Sequence, residues 1–238
     1  MPNGRPQAPG PRSLELLEFV ARLDVAAVDA LQCAFALRRS ATYSHLQRLH
    51  DAELVSRLYS HGNGAAVAVT RRGRHHLALP AADVPVGAQY GFGLRHSQAV
   101  SWVAALLQLR GRAWVSDREM RSRPSWRVPV MWPSSRGTHR PDLGASIDGA
   151  RVAIEVERTQ KRARRLRAIL AGYEHTIATG ELSGVLYVYE HPAVARLVRR
   201  EAAAVGLAEP RIRVRELAHV IADARTLVAR RSAVNGDR

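Results

Sequence analysis

The dipeptide Asp148-Gly149 constrains what this chain can fold into more tightly than any other feature of the sequence. It separates Leu143-Gly144-Ala145-Ser146-Ile147 from Ala150-Arg151-Val152-Ala153-Ile154-Glu155-Val156-Glu157. Asp-Gly favours a two-residue hairpin turn, because glycine takes positive φ freely and aspartate tolerates it. A turn there sets Ile147 against Ala150, and the period-2 alternation of strand side chains then determines the whole register. Counting outward, Asp142 falls opposite Glu155 and Arg140 opposite Glu157. Leu143, Ala145, Ile147, Val152, Ile154 and Val156 share one face, which reads as core. Asp142, Glu155 and Glu157 share the other. Like charges paired across strands are unfavourable unless something compensates. Two compensators are open: a divalent cation, since hard cations prefer carboxylate oxygens, or a surface ion network built by Arg140 and neighbouring arginines.

Around this hairpin the second half of the chain reads as mixed α/β. A helix over 96–109 carries Val100, Val103, Leu106 and Leu107 inward. The stretch 124–141 is poor in regular signals and reads as a loop. After the hairpin come a basic helix containing Arg162, Arg164, Arg165 and Arg167, a strand over 184–189, a helix over 193–205 and a strand over 211–214. The basic helix face suits a phosphate backbone.

The first third has a different rhythm. Residues 1–12 are rich in Pro and Gly and read as a flexible lead-in with no apolar signal-peptide core. Helical periodicity begins at Ser13, with Leu14, Leu17, Val20 and Ala21 on one stripe. Asp24 suits the N-cap of a second helix carrying Val25, Val28, Leu31 and Phe35. A third helix begins near Ser40 and turns Leu46 and Leu49 inward. Two short strands, 55–60 and 65–70, flank His61-Gly62-Asn63-Gly64, and Thr70-Arg71-Arg72-Gly73-Arg74 opens a last short helix. The Pro/Gly-rich stretch 80–95 reads as a linker, which gives domains at 13–79 and 96–232.

A formal net charge of +15 on 238 residues calls for a polyanionic partner. No apolar run is long enough to span a bilayer, so double-stranded DNA in the cytoplasm is the expected setting, without a membrane role. Cys33 is the only cysteine, which excludes an intramolecular disulfide and a multi-cysteine zinc site. The positive charge is almost all arginine. Lys161 is the only lysine.

Ser40-Ala41-Thr42-Tyr43-Ser44-His45-Leu46-Gln47-Arg48-Leu49, then Leu54-Val55 and Thr70 to Arg74, resembles the winged helix-turn-helix family over residues 13 to 79. That likeness implies a recognition helix offering Thr42, Ser44, His45, Gln47 and Arg48 to DNA. Arg38 and Arg39 ahead of it, and Arg71, Arg72 and Arg74 after the wing, would hold phosphate. Glu53 departs from the pattern, standing where such proteins often have Gly.

Pro141-Asp142 followed by Glu155-Val156-Glu157 and a basic helix resembles the PD-(D/E)xK nuclease superfamily. The resemblance implies a restriction-endonuclease-like α/β domain in which Asp142 and Glu155 hold Mg²⁺, with Glu119 as the acidic residue of the first helix. The superfamily's lysine is replaced by Glu157, and Lys161 is the candidate substitute. With Arg118-Glu119-Met120-Arg121, the joint arrangement is similar to the replication-relaxation proteins of plasmids and other mobile elements. Three functions are open. The first is a DNA-binding protein with a retired nuclease domain, meeting replication or mobilisation proteins and needing no cofactor. The second is an active Mg²⁺-dependent endonuclease or nickase using Glu119, Asp142, Glu155 and Lys161. The third is a transcriptional regulator with a C-terminal sensing domain. Oligomeric state and DNA site are not encoded in any motif.

Overall fold

The computed structural model describes residues 8–60, 64–79, 92–132 and 135–236. The expected linker lies mostly outside these residues, as do the first seven residues of the expected lead-in. The chain is mixed α/β and divides into two compact units, residues 1–109 with 224–238, and 110–223.

The first unit opens with α1 (Pro11–Leu23), β1 (Val25–Ala27), α2 (Val28–Ala34) and α3 (Arg39–Asp51). It continues with β2 (Val55–Ser60), β3 (Gly64–Val69), α4 (Arg71–His76) and α5 (Phe92–Leu109). Helix α1 starts inside the expected lead-in, because Pro11 suits the first helical turn, where no amide donor is needed. Its stripe buries Leu16, Leu17 and Val20, and the helix packs on α3, whose Leu46 and Leu49 are buried too.

Two readings of this region are corrected. Asp24 does not cap a second helix: it ends α1 at φ 66°, and Arg74 donates to its carboxylate at 2.6 Å. Val25 to Ala27 then run as a strand on β3, with Val25 opposite Ala68, giving the sheet order β1-β3-β2. β-branched and small apolar residues suit a covered strand. The second correction concerns α5, which the sequence pattern places in the second domain. It belongs to the first unit, packed on α2 and β1. Ala27 donates its amide to Ser101 Oγ at 3.1 Å, and Ala99 through Leu107 are buried. A helix apolar on every side needs cover on every side.

Thr70 caps α4 by accepting from the Gly73 amide at 2.9 Å. Gly73 is required there, since a Cβ would lie 2.1 Å from the Leu54 carbonyl oxygen.

The second unit contains β4 (Trp114–Ser116), α6 (Asp117–Met120), a 3₁₀ turn at Pro124–Trp126, β5 (Val128–Trp132), β6 (Ser135–His139), β7 (Leu143–Ile147) and β8 (Ala150–Glu157). It goes on through α7 (Ala163–Ala178), β9 (Gly184–Tyr189), α8 (Pro192–Ala204) and β10 (Ile212–Glu216). The last helix, α9 (Leu217–Gly236), was not expected from the sequence.

Five strands line up as β10-β9-β8-β7-β4. β4, β7 and β8 are antiparallel neighbours, whereas β8, β9 and β10 run parallel, joined by α7 and α8 as crossovers. The Asp148-Gly149 turn forms with φ of 53° and 83°, and Ile147 pairs with Ala150 as expected. The expected loop 124–141 instead holds the hairpin β5–β6, in which Val128 and Val130 point inward and Pro129 and Met131 outward. Its alternation is short and interrupted by Pro129, which hid it.

Candidate functional site

Two constellations come forward, one in each unit. In the first, α3 buries Leu46 and Leu49 and turns Tyr43, Ser44 and Gln47 outward, with Arg38, Arg39 and Ser40 exposed at its start. Arg39 holds its guanidinium 5.7 Å from the centroid of the Tyr43 ring, which is 37% exposed. Gln47 donates to Asp51 Oδ1 at 2.5 Å and accepts from Arg57 of β2. Arg48 is half-buried, and Arg71 is exposed at the start of α4.

Two of the expected DNA contacts are removed. Thr42 is fully buried, and its hydroxyl donates to the Arg38 carbonyl at 3.1 Å, because it lies one helical turn before Leu46 on the same stripe. Arg74 is 5% exposed and bound to Asp24, so its charge serves the fold. His45 is half-buried, and its Nδ1 shares a 3.0 Å hydrogen bond with Ser13. Burial first, then the guanidiniums of Arg48 and Arg12, hold the His45 pKa below the usual histidine value, which favours the neutral ring. Arg72 remains exposed, in a solvated pair with Glu53 at 2.8 Å. Tyr43 was missed. The stripe through Thr42, Leu46 and Leu49 places it outside, and that stripe is the signal that could have found it.

The second constellation gathers around β8. The β7–β8 ladder stops at Leu143 opposite Ile154. Asp142 leaves it one residue later, and its Oδ2 accepts from the Val156 amide at 2.7 Å. Arg140 does not face Glu157 but donates to Asp117 Oδ1 at 2.8 Å. Glu155 and Glu157 are 3% and 7% exposed, so the carboxylate face is not a surface network. Helix α7, the crossover between the parallel strands β8 and β9, covers that side, its Leu166, Ile169 and Tyr173 sharing one buried cluster with Ala153 of β8.

Glu155 is held by its neighbours. Tyr173 of α7 donates its hydroxyl to Oε1, and His139 Nε2 lies 2.6 Å from the same oxygen. The Tyr173 ring meets His139 and Tyr187 edge-on at centroid distances of 6.1 and 6.4 Å. Burial, then the Glu155 charge, pushes the Tyr173 pKa well above its ordinary value, and burial with Glu155 and Asp142 does the same to Tyr187. Asp142 and Glu155 are therefore brought around the same two tyrosines.

The other expected members are engaged elsewhere. Glu119 closes a capping box on α6, its carboxylate accepting from the Ser116 amide at 2.8 Å. Lys161 pairs with Glu157. Among the described residues, no group of three or more His, Cys, Asp or Glu side chains is disposed to hold a metal ion. With Glu155 Oε1 taken by Tyr173 and His139, Asp142 Oδ2 by a backbone amide and Glu157 by Lys161, the donor set does not fit a Mg²⁺ centre as it stands. Among the described residues, no helix is long and apolar enough to cross a membrane.

No protein-family model and no curated protein matches the chain. Among solved structures it is similar to protein VC1899 from Vibrio cholerae, with a TM-score of 0.35 and 12% identity, covering 94% of this chain and 57% of that one. The chain thus spans little more than half of that protein, and a likeness at this level carries no argument.

Proposed function

We propose that this chain is a DNA-binding protein that docks on duplex DNA through α3, and that its second unit is a nuclease-like fold whose carboxylates serve packing and not hydrolysis. The observation that carries the reading is the outward face of α3. Tyr43, Ser44 and Gln47 project from it, with Arg38 and Arg39 at its start, in a chain of net charge +15. In this reading α1, α2, α3, the hairpin β2–β3 and α4 form a winged helix-turn-helix, α3 being the recognition helix. Short polar side chains enter the major groove and read base edges, while Arg38, Arg39, Arg48 and Arg71 hold flanking phosphates and set the register.

The order β4-β7-β8-β9 around α7 supports a restriction-endonuclease-like core. Its carboxylates are tied to Tyr173, His139, Lys161 and backbone amides, an arrangement suited to holding α7 on the sheet. The combination suits a replication-relaxation factor of a plasmid or other mobile element, with replication or mobilisation proteins as further partners.

The test is fluorescence anisotropy of the full chain with duplex DNA across a salt series. The paired variant Arg38→Gln/Arg39→Gln should weaken binding to every sequence and lower the salt slope by about 1 for each phosphate that is no longer neutralised. Unchanged affinity would end the α3 reading. In parallel, supercoiled plasmid is incubated with Mg²⁺, Mn²⁺ or EDTA. No nicking is expected, and metal-dependent nicking abolished by Asp142→Ala would overturn the non-hydrolytic assignment.

A further inference from the structure

We propose that the second unit carries a groove for single-stranded nucleic acid, in which one base stacks on Trp132 and the flanking phosphates are held by Arg162, Arg164 and Arg165. The groove has a volume of about 650 Å³ and is lined by Trp132 at the end of β5 and by Lys161, Arg162, Arg164 and Arg165 at the start of α7.

The cations in it are differently employed. Lys161 is answered by Glu157. The arginines on either side are committed too, Arg158 to Glu190 and Arg167 to Glu201, at 2.6 and 2.7 Å. Arg162, Arg164 and Arg165 are exposed, and among the described residues none of them forms an ion pair. The groove's own walls are mostly apolar, formed by the indole and the carbon stems of these side chains. The three exposed guanidiniums repel one another and raise a positive field beside it, which a string of phosphates relieves.

The tryptophan selects the kind of polyanion. Trp102, Trp114 and Trp126 are buried in cores, whereas Trp132 is half-buried. Its indole lies across Gly137 on β6, where a Cβ would stand 2.6 Å from Nε1 and 3.0 Å from Cδ1. Glycine at that position lets the ring rest on the strand while it also lines the groove. An aromatic ring beside unpaired guanidiniums suits an unstacked base with its phosphates. A duplex keeps its bases inside the stack and offers none to Trp132, so a single strand is the ligand that uses both halves of the groove.

The experiment measures binding of a fluorescein-labelled twelve-residue oligo-dT to the full chain by anisotropy, beside a duplex probe. Trp132→Leu should weaken oligo-dT binding roughly tenfold or more, and Trp132→Phe, which still stacks, should retain most of it. Arg164→Gln/Arg165→Gln should lower the salt slope for oligo-dT by about 0.7 for each phosphate left without its arginine. These exposed arginines keep the test decisive if Trp132→Leu lowers stability. Duplex binding should survive the Trp132 variants, and oligo-dT binding should survive Arg38→Gln/Arg39→Gln, so this groove and the α3 reading fail separately. Wild-type oligo-dT affinity in a folded Trp132→Leu protein would overturn the proposal. So would inorganic polyphosphate competing as well as oligo-dT, or tighter binding to phosphatidylserine vesicles that the same arginine variants abolish.

Discussion

Arg71 and Arg74 lie one turn apart on α4 and belong to different chemistries. Arg74 is buried against Asp24, so Arg74→Ala breaks a buried ion pair and should cost about 3 kcal/mol in urea unfolding. Arg71→Ala should leave stability within about 0.5 kcal/mol and lower only duplex affinity. Glu53 is the departure from the winged-helix pattern, and it adopts φ 59°, the left-handed region that favours glycine. Its ion pair with Arg72 is solvated and contributes little. Glu53→Gly should therefore raise stability by about 1 kcal/mol, read from the urea midpoint. The buried tyrosines set an alkaline limit. Tyr173 and Tyr187 have raised pKa values, so the stability they contribute is complete below the unfolded value near pH 10 and is lost as pH rises towards the folded values. The urea midpoint should fall above about pH 10, and less steeply in Tyr187→Phe. On the acid side the sign reverses. Hydrogen bonds from Arg167 and Arg200 lower the Glu201 pKa, and those from Arg215 and Arg110 help lower that of Asp223. What these two groups contribute is lost as pH falls through their lowered values.

At the scale of elements, α7 is the hinge of the second unit's chemistry. It supplies Tyr173 to Glu155, covers the carboxylate side of β8 and begins at the arginine groove. It lies close to β5 at Gly172, where a Cβ would stand 2.3 Å from the Pro129 carbonyl oxygen and 2.9 Å from Val128 Cγ1. Backbone cannot yield as a flexible side chain does. Gly172→Ala should push α7 from the hairpin, cost about 2 kcal/mol and weaken oligo-dT binding, because Trp132 and the arginines sit on the two elements being separated. Equal melting of this variant and wild type would show that the approach has slack.

Across the whole molecule, charge and cover set the behaviour. With a net +15, the proposed binding to nucleic acid should be a counterion-release process, with log affinity falling linearly in log salt at about −0.9 per duplex phosphate neutralised. A salt-insensitive duplex affinity would contradict phosphate docking altogether. The charge is unevenly engaged. Arg74, Arg110, Arg140, Arg158 and Arg167 are paired with carboxylates, whereas Arg162, Arg164 and Arg165 stand exposed on the surface. Composition alone gives the sum and not this division.

The sequence by itself determined the features that act over a few residues. The Asp148-Gly149 turn dictated the register from Ile147 and Ala150 to Leu143 and Ile154, because side-chain alternation has period 2. The Leu46 and Leu49 stripe oriented α3, and the antiparallel pairing of β2 with β3 joins two strands that are close neighbours in sequence. The contacts that assign each group its role were decided only by the tertiary structure. Arg74 looks like a surface cation until Asp24, 50 residues earlier, is set beside it, whereas Thr42 already lay on the local stripe of Leu46. The carboxylates at 155 and 157 look solvent-facing until α7 closes over β8. Helix α5 shows an inward stripe, yet which unit it serves depends on α2 and β1, far behind it in the chain. Trp132 and Arg162 to Arg165 have no local relation at all. Burial and pairing depend on residues distant in sequence, and a pattern of period 2 or 3.6 carries no record of what an element will meet.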